Sequence, residues 1–277
     1  MLTHRIFSAL VAVPVIILLI WAGQNATAAL IAAAAVLGIY EFYRLYVPDE
    51  TFLKGLGGLT FAAGHRPLLL LGLAGGVLFT VEATLDSTFV LPLIAGAVLV
   101  PMMLLVLRPA DERQPAEWAW TTIGMLLIGW TLSHGVLLRS AEQGREWVLT
   151  VVILTFAIDT TAYVVGRAIG RHRLAPSISP GKTWEGAVAG IIAGAGAAVA
   201  ITKGFDIDIR IWQAVVLGLL VSVFAQIGDL AESMLKRAAG AKDAGQLIPG
   251  HGGILDRLDS LIPAVVVVYY FSQYVER

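Results

Sequence analysis

Apolar runs of membrane length recur along this chain of 277 residues, with few charges between them. A helix needs about 20 apolar residues to cross a bilayer. Runs of that order fall at roughly 5–23, 25–46, 67–85, 88–107, 119–139, 146–168, 184–202, 210–232 and 259–275. In hydrocarbon every backbone polar group must be satisfied within the protein, so such runs are read as helices. Composition supports this: hydrophobic residues make up 57% and charged residues 14%, where soluble domains carry about a quarter charged. Mean hydropathy is +0.80. The expectation is an all-α integral membrane protein of about nine transmembrane helices with polar cytoplasmic loops. The first run follows Arg5 and has an alternative reading as a cleaved signal peptide. It is long for one, and a second apolar run follows at once, so it is read as a retained helix. Asp49 to Arg66, rich in glycine and small residues, is read as interfacial or as a loop.

Cations orient the chain, because cytoplasmic loops are enriched in Lys and Arg. With the N-terminus inside, 14 of the 19 Lys and Arg residues fall on the cytoplasmic face. Arg139, Arg145, Lys203, Arg210 and Arg277 remain outside. The formal net charge of −1 gives no global field for nucleic acid. The absence of cysteine excludes disulfides, thiolate metal sites and a cysteine nucleophile. No long polar linker interrupts the chain, so one membrane domain is expected, with N-terminal helices over 1–140 and a catalytic region over 141–277.

The polar chemistry is concentrated late in the chain. Ser233 to Ser260 reads SMLKRAAGAKDAGQLIPGHGGILDRLDS and lies between two apolar runs. Lys236, Arg237, Lys242 and Arg257 suit phosphate, and Asp243, Asp256 and Asp259 suit a hard divalent metal. The glycines let backbone N–H groups approach an anion closely. Such residues are expected of a metal-assisted phosphoryl or nucleotidyl transfer site. A solvated cytoplasmic loop would also carry lysines and arginines, but it leaves Asp229, inside an apolar run, unexplained. Asp229, Ser233, Lys236 and Arg237 stand at i, i+4, i+7 and i+8, one face of a helix. A second polar loop, Gly166 to Glu185, falls on the same side of the membrane. Its Gly181-Lys182-Thr183 is not a phosphate-binding P-loop, which requires glycine where Pro176 stands and a preceding strand. Thr183 instead reads as the cap of a helix starting near Trp184, with Ser179, Lys182 and Thr183 able to donate to phosphate. Gly166 and Gly170 form a small-residue pair suited to close helix contact.

The pattern S-x-x-K-R, four residues, K-D, then P-x-H-G-G-x-x-D-R-x-D resembles the signature of the phosphatidate cytidylyltransferases, or CDP-diacylglycerol synthases. Ser233, Lys236, Arg237, Lys242, Asp243, Pro249, His251, Gly252, Gly253, Asp256, Arg257 and Asp259 fill it. Ser179 to Gly186 and Asp159-Thr160 with Ala162-Tyr163 and Gly166-Arg167 resemble further blocks of that family, so the resemblance spans Asp159 to Asp259. It implies transfer of a cytidylyl group from CTP to phosphatidate, giving CDP-diacylglycerol and pyrophosphate. On that reading Lys182, Lys236, Arg237 and Lys242 neutralise phosphate charge, and His251 with Gly252 and Gly253 shapes a nest of backbone donors. Ser179, Thr183, Ser233 and Arg257 are further substrate contacts. Asp229 and Asp256 are the leading Mg2+ ligands, with Asp243 and Asp259 available to a second metal ion. A homodimer in the inner membrane, its site facing the cytoplasm, is expected, with no nucleic-acid partner.

Two rival readings are weaker. A CDP-alcohol phosphotransferase requires a D-x-x-D-G-x-x-A-R…G-x-x-x-D-x-x-x-D pattern that this chain lacks. A secondary transporter would use Asp159 and Asp229 as an ion relay, yet the polar motifs have no counterpart nearer the N-terminus. His134 reads as structural, Glu41 and Arg44 as an i, i+3 pair, and most tryptophans as interfacial.

Overall fold

The computed structural model describes residues 2–46, 66–85, 88–110, 114–245, 247 and 252–275. Apart from Arg66, the stretch read as interfacial lies outside the described residues, as does His251. The helices are α1 (Leu2–Trp21), α2 (Gln24–Tyr46), α3 (Arg66–Leu85), α4 (Val90–Val106), α5 (Pro115–Gly124), α6 (Thr131–Ser140), α7 (Gly144–Ile169), α8 (Trp184–Gly204), α9 (Ile211–Ala238), α10 (Leu255–Leu258) and α11 (Leu261–Val275). A π-helical segment, Met125–Trp130, joins α5 to α6. Among the described residues seven helical stretches are long and apolar enough to cross a membrane, Pro115–Ser140 and Leu255–Val275 each counting as one. Ala12–Trp21 and Val90–Val106 are shorter apolar helices, where the first and fourth expected runs fall. The protein is an all-α multi-pass membrane protein.

One element departs from that class. Strands β1 (Arg173–Ala175) and β2 (Ser179–Thr183) form an antiparallel hairpin between α7 and α8, with Ala175 opposite Ser179. Each of those paired residues precedes a proline, Pro176 or Pro180, and a following proline disfavours the helical region. The chain is thereby held extended where the flanking sequence is helical. The hairpin ends at Thr183, whose hydroxyl accepts the Gly186 N–H at 3.2 Å and caps α8 as expected.

The C-terminal core packs α7 against α8, α9 and α11. Trp147, Leu154 and Ile158 of α7 meet Ala198, Leu217, Val221, Ala264 and Val268, all buried. Glycines let the backbones close in: Gly166 of α7 lies against Gly186 of α8, and Gly194 of α8 against Gly218 of α9. A second core joins Ala35, Ile39 and Phe42 of α2 to Ile128, Leu132, Leu255, Leu258 and Ile262. Outward faces keep large apolar side chains exposed, such as Phe156, Ile192, Leu220 and Tyr270, as a surface in contact with lipid requires. Helical Thr27, Thr80, Thr155 and Thr202 donate to carbonyls one turn back, leaving no hydroxyl proton for lipid to solvate. Trp184 and Trp212 open α8 and α9 and are exposed, as interfacial residues would be. Trp147, in contrast, is buried in the core.

Candidate active site

α7, the hairpin, the start of α8, the end of α9 and α10 enclose a cavity of about 820 Å3. Its wall carries Ser179, Lys182, Thr183, Asp229, Lys236, Asp243, Asp256, Arg257 and Asp259, nine residues singled out from sequence. It also carries Asp159, Arg167 and Gln226, which had no assigned role in transfer. The second polar loop and the signature segment, separated along the chain by α8 and most of α9, therefore form one site.

Two lysines organise it. Lys182, on β2, places its ammonium 2.6 Å from Asp229 of α9, and both side chains remain about a quarter to a third exposed, at 25% and 30%. Lys236, two helical turns beyond Asp229, is clamped between Glu232 and Asp256, with each oxygen 2.5 Å from the ammonium. Those three side chains are 12%, 7% and 8% exposed. Glu232 escaped the sequence reading, although its i, i+4 spacing to Lys236 is a legible helical ion-pair signal.

Asp256 does more than meet Lys236. Its Oδ2 accepts the N–H groups of Gly253 at 2.8 Å and Ala244 at 3.1 Å, so one carboxylate ties both ends of the loop that follows α9. Gly252, beside it, has φ +85, the left-handed region that glycine enters without strain. Asp259 accepts the Ser260 N–H at 2.7 Å. Ser260 and Asp159 share the cavity wall, and Asp159, Asp229 and Asp259 are near enough for their charges to interact.

Other expected residues stand off the cavity wall. Arg237 donates to the carbonyls of Ile178 at 3.3 Å and Ala241 at 3.2 Å, linking the end of α9 to the hairpin turn. Lys242 is exposed on the loop, and Ser233 is partly buried on α9. Gly252 and Gly253 shape the loop without lining the cavity. His134 is buried with Nδ1 at 3.0 Å from the Trp130 carbonyl, a structural placement as expected. The anticipated pairing of Glu41 with Arg44 gives way to a different contact: Glu41 turns inward and accepts the Leu255 N–H at 2.9 Å.

Among the described residues no three His, Asp or Glu side chains form a ready-made metal cage. The donor set nevertheless fits magnesium. It is all oxygen, and Mg2+ is commonly held by one or two carboxylates, completed by water and substrate phosphate. Asp229 and Asp259 on the cavity wall, with the Lys182 ammonium against Asp229, can supply that. The arrangement can bind a polyphosphate and neutralise charge that moves between its phosphorus centres.

Comparison with known proteins bears on which anions these are. The family described as "Cytidylyltransferase family" matches residues 3–275. A phosphatidate cytidylyltransferase of Brucella abortus is 34% identical over 277 residues, covering 98% of this chain and 93% of its own length. One of Pseudomonas aeruginosa is 35% identical over 278 residues, covering 96% and 95%. One of Mycobacterium tuberculosis is 40% identical over 137 residues, covering 50% of this chain and 42% of its own. The match thus extends through the N-terminal helices, beyond the blocks that carried the resemblance.

Proposed function

The chain belongs to the cytidylyltransferase family, and from that premise we propose how its residues transfer a cytidylyl group from CTP to phosphatidate. The products are CDP-diacylglycerol and pyrophosphate. A phosphate monoester is already an anionic nucleophile at neutral pH, so no protein nucleophile is required. A phosphate oxygen of the lipid attacks the α-phosphorus of CTP, a new P–O–P bond forms, and the bond to the β-phosphate breaks as pyrophosphate leaves. Catalysis is then positioning plus charge neutralisation.

The observation that carries this reading is the convergence of Lys182 with Asp229, Asp259 and Arg257 on one cavity between the two polar loops. Lys182 is held by a single partly exposed carboxylate among the described residues, so an incoming phosphate can take Asp229's place beside it. Asp229 and Asp259 would hold Mg2+, with Asp243 at the edge of the cavity for a second ion. The metal supplies Lewis-acid charge stabilisation to phosphate oxygens when bound. Asp256 was expected beside Asp229 as a leading ligand. Its bonds to Lys236, Gly253 and Ala244 favour a role in shaping the loop. Arg257 and Lys242 add positive charge toward the phosphates, and Ser179 and Thr183 sit on the wall nearest Lys182. Ser233, Gly252, Gly253 and His251 belong to the same proposal as contacts or backbone donors.

The distribution of cations supports a site facing the cytoplasm, in the inner membrane, where CTP is present. A homodimer completes the proposal, to be decided by mass measurement in detergent. The transporter alternative has no support: the family is one of transferases, and Asp229 pairs with Lys182 in the shared cavity. The test is pyrophosphate release by purified protein in detergent. Release that needs CTP, phosphatidate and Mg2+ together is expected. Its absence from well-folded protein would overturn the reading.

A further inference from the structure

We propose that Glu41, on α2 in the N-terminal half, is a positioning residue for the reaction: its carboxylate fastens the segment between α9 and α10 in the shape that presents Asp243, Asp256 and Arg257 to the cavity. Glu41 is 2% exposed. Its Oε2 accepts the N–H of Leu255 across a sequence separation of 214 residues. The backbone N–H groups of Ile254 and Leu247 also bear on the carboxylate. A β-carbon added to Gly245 or Gly253 would run into that same carboxylate, so the segment is wrapped against it from both sides.

Around it, Leu255 and Leu258 of α10 share a buried core with Ile39 and Phe42 of α2. Farther along α2, the Tyr46 hydroxyl donates to the Leu235 carbonyl at 3.0 Å, on α9 one residue before Lys236. α2 thus grips the catalytic segment where it leaves α9 and where it enters α10. An apolar side chain at position 41 would pack in this layer at lower desolvation cost. A carboxylate is costly there unless hydrogen bonds compensate, and the bond at Oε2 comes from the backbone of the segment itself. Asp256 closes the same loop from the other side, through Gly253 and Ala244. The loop is therefore held between two carboxylates, one from each half of the chain.

The proposal rests on the segment's place in the cytidylyl-transfer site, and two separate readouts distinguish failure of that premise from failure of the fastening. Because the chain has no cysteine, Leu247→Cys provides a single thiol reporter on the segment, where Leu247 is exposed. Glu41→Gln keeps side-chain size and one acceptor oxygen, but it removes the charge and replaces the second acceptor with an N–H2 group. When Glu41→Gln is introduced into the reporter protein, a fall in kcat of roughly 10–100-fold is expected. Thermal unfolding should stay within a few degrees of the parent, and the reporter thiol should react severalfold faster with a water-soluble maleimide. An unchanged maleimide rate would overturn the fastening. A faster rate with kcat unchanged would overturn the segment's part in the reaction, and with it the positioning role. Should Glu41→Gln yield no folded protein, Gly245→Ala pushes the carboxylate aside without altering α2. The same two readouts then decide, with the same outcomes supporting or sinking the proposal.

Discussion

Lys182 and Lys236 line the same cavity and are both paired with aspartate, yet their surroundings differ. Among the described residues Lys182 has one carboxylate partner and side-chain exposure of 25%, while Lys236 has two partners and exposure of 12%. A lysine with a single carboxylate partner can exchange it for a phosphate at small cost. A buried charge held by two carboxylates cannot, because each released group would be left desolvated. On the proposed reading the first pair serves chemistry and the second architecture. Residue type alone does not separate them, since both are lysines that a sequence reading assigns to phosphate.

Asp229→Asn should have the largest effect on turnover and the smallest on folding. The substitution removes the charge offered to Mg2+ and to Lys182, and a loss of at least about 100-fold in pyrophosphate release is expected. Thermal unfolding in detergent should change less than on loss of Asp256, because Lys182 loses one carboxylate contact and no loop tie goes with it. Comparable losses of activity and stability would erase the distinction between the pairs.

Asp256→Asn should show the opposite balance. Lys236 keeps only Glu232, and the loop loses part of its tie to Gly253 and Ala244, so destabilisation of about 3 kcal/mol is expected. Activity should fall with it. If Asp256→Asn unfolds like the parent but requires far more Mg2+, Asp256 is a metal ligand after all, and the two pairs are alike.

Glu232→Gln sharpens the comparison from the weak side. Lys236 retains Asp256, and the neutral amide can still accept its proton, so a change of under about 1 kcal/mol is expected. Turnover should fall less than in Asp256→Asn. A larger loss in Glu232→Gln than in Asp256→Asn would make Glu232 the principal partner of Lys236.

Much of this was legible from residue order. Membrane-length hydrophobicity announced the helices, since hydrocarbon leaves the backbone few alternatives. The Thr183 cap was readable because capping is local, depending on residues three apart. The hairpin was missed because β1 has three residues and β2 has five, too short for a periodic signal. Its cause, two prolines, reads equally well as a loop. Glu232 was missed although its spacing to Lys236 was visible, because a helical pair says nothing of burial until a third group closes on it.

The sequence by itself determined the solvent, the helices, and the acids, cations and glycines available for chemistry, because hydropathy and residue type are local properties. Tertiary structure alone decided that Lys236 meets two carboxylates, because the second depends on Asp256 arriving from 20 residues away. It also turned Glu41 from a presumed helix-surface pair into a clamp on a loop that ends 214 residues downstream. Such a contact depends on how α2 packs against α10, which no spacing within α2 encodes.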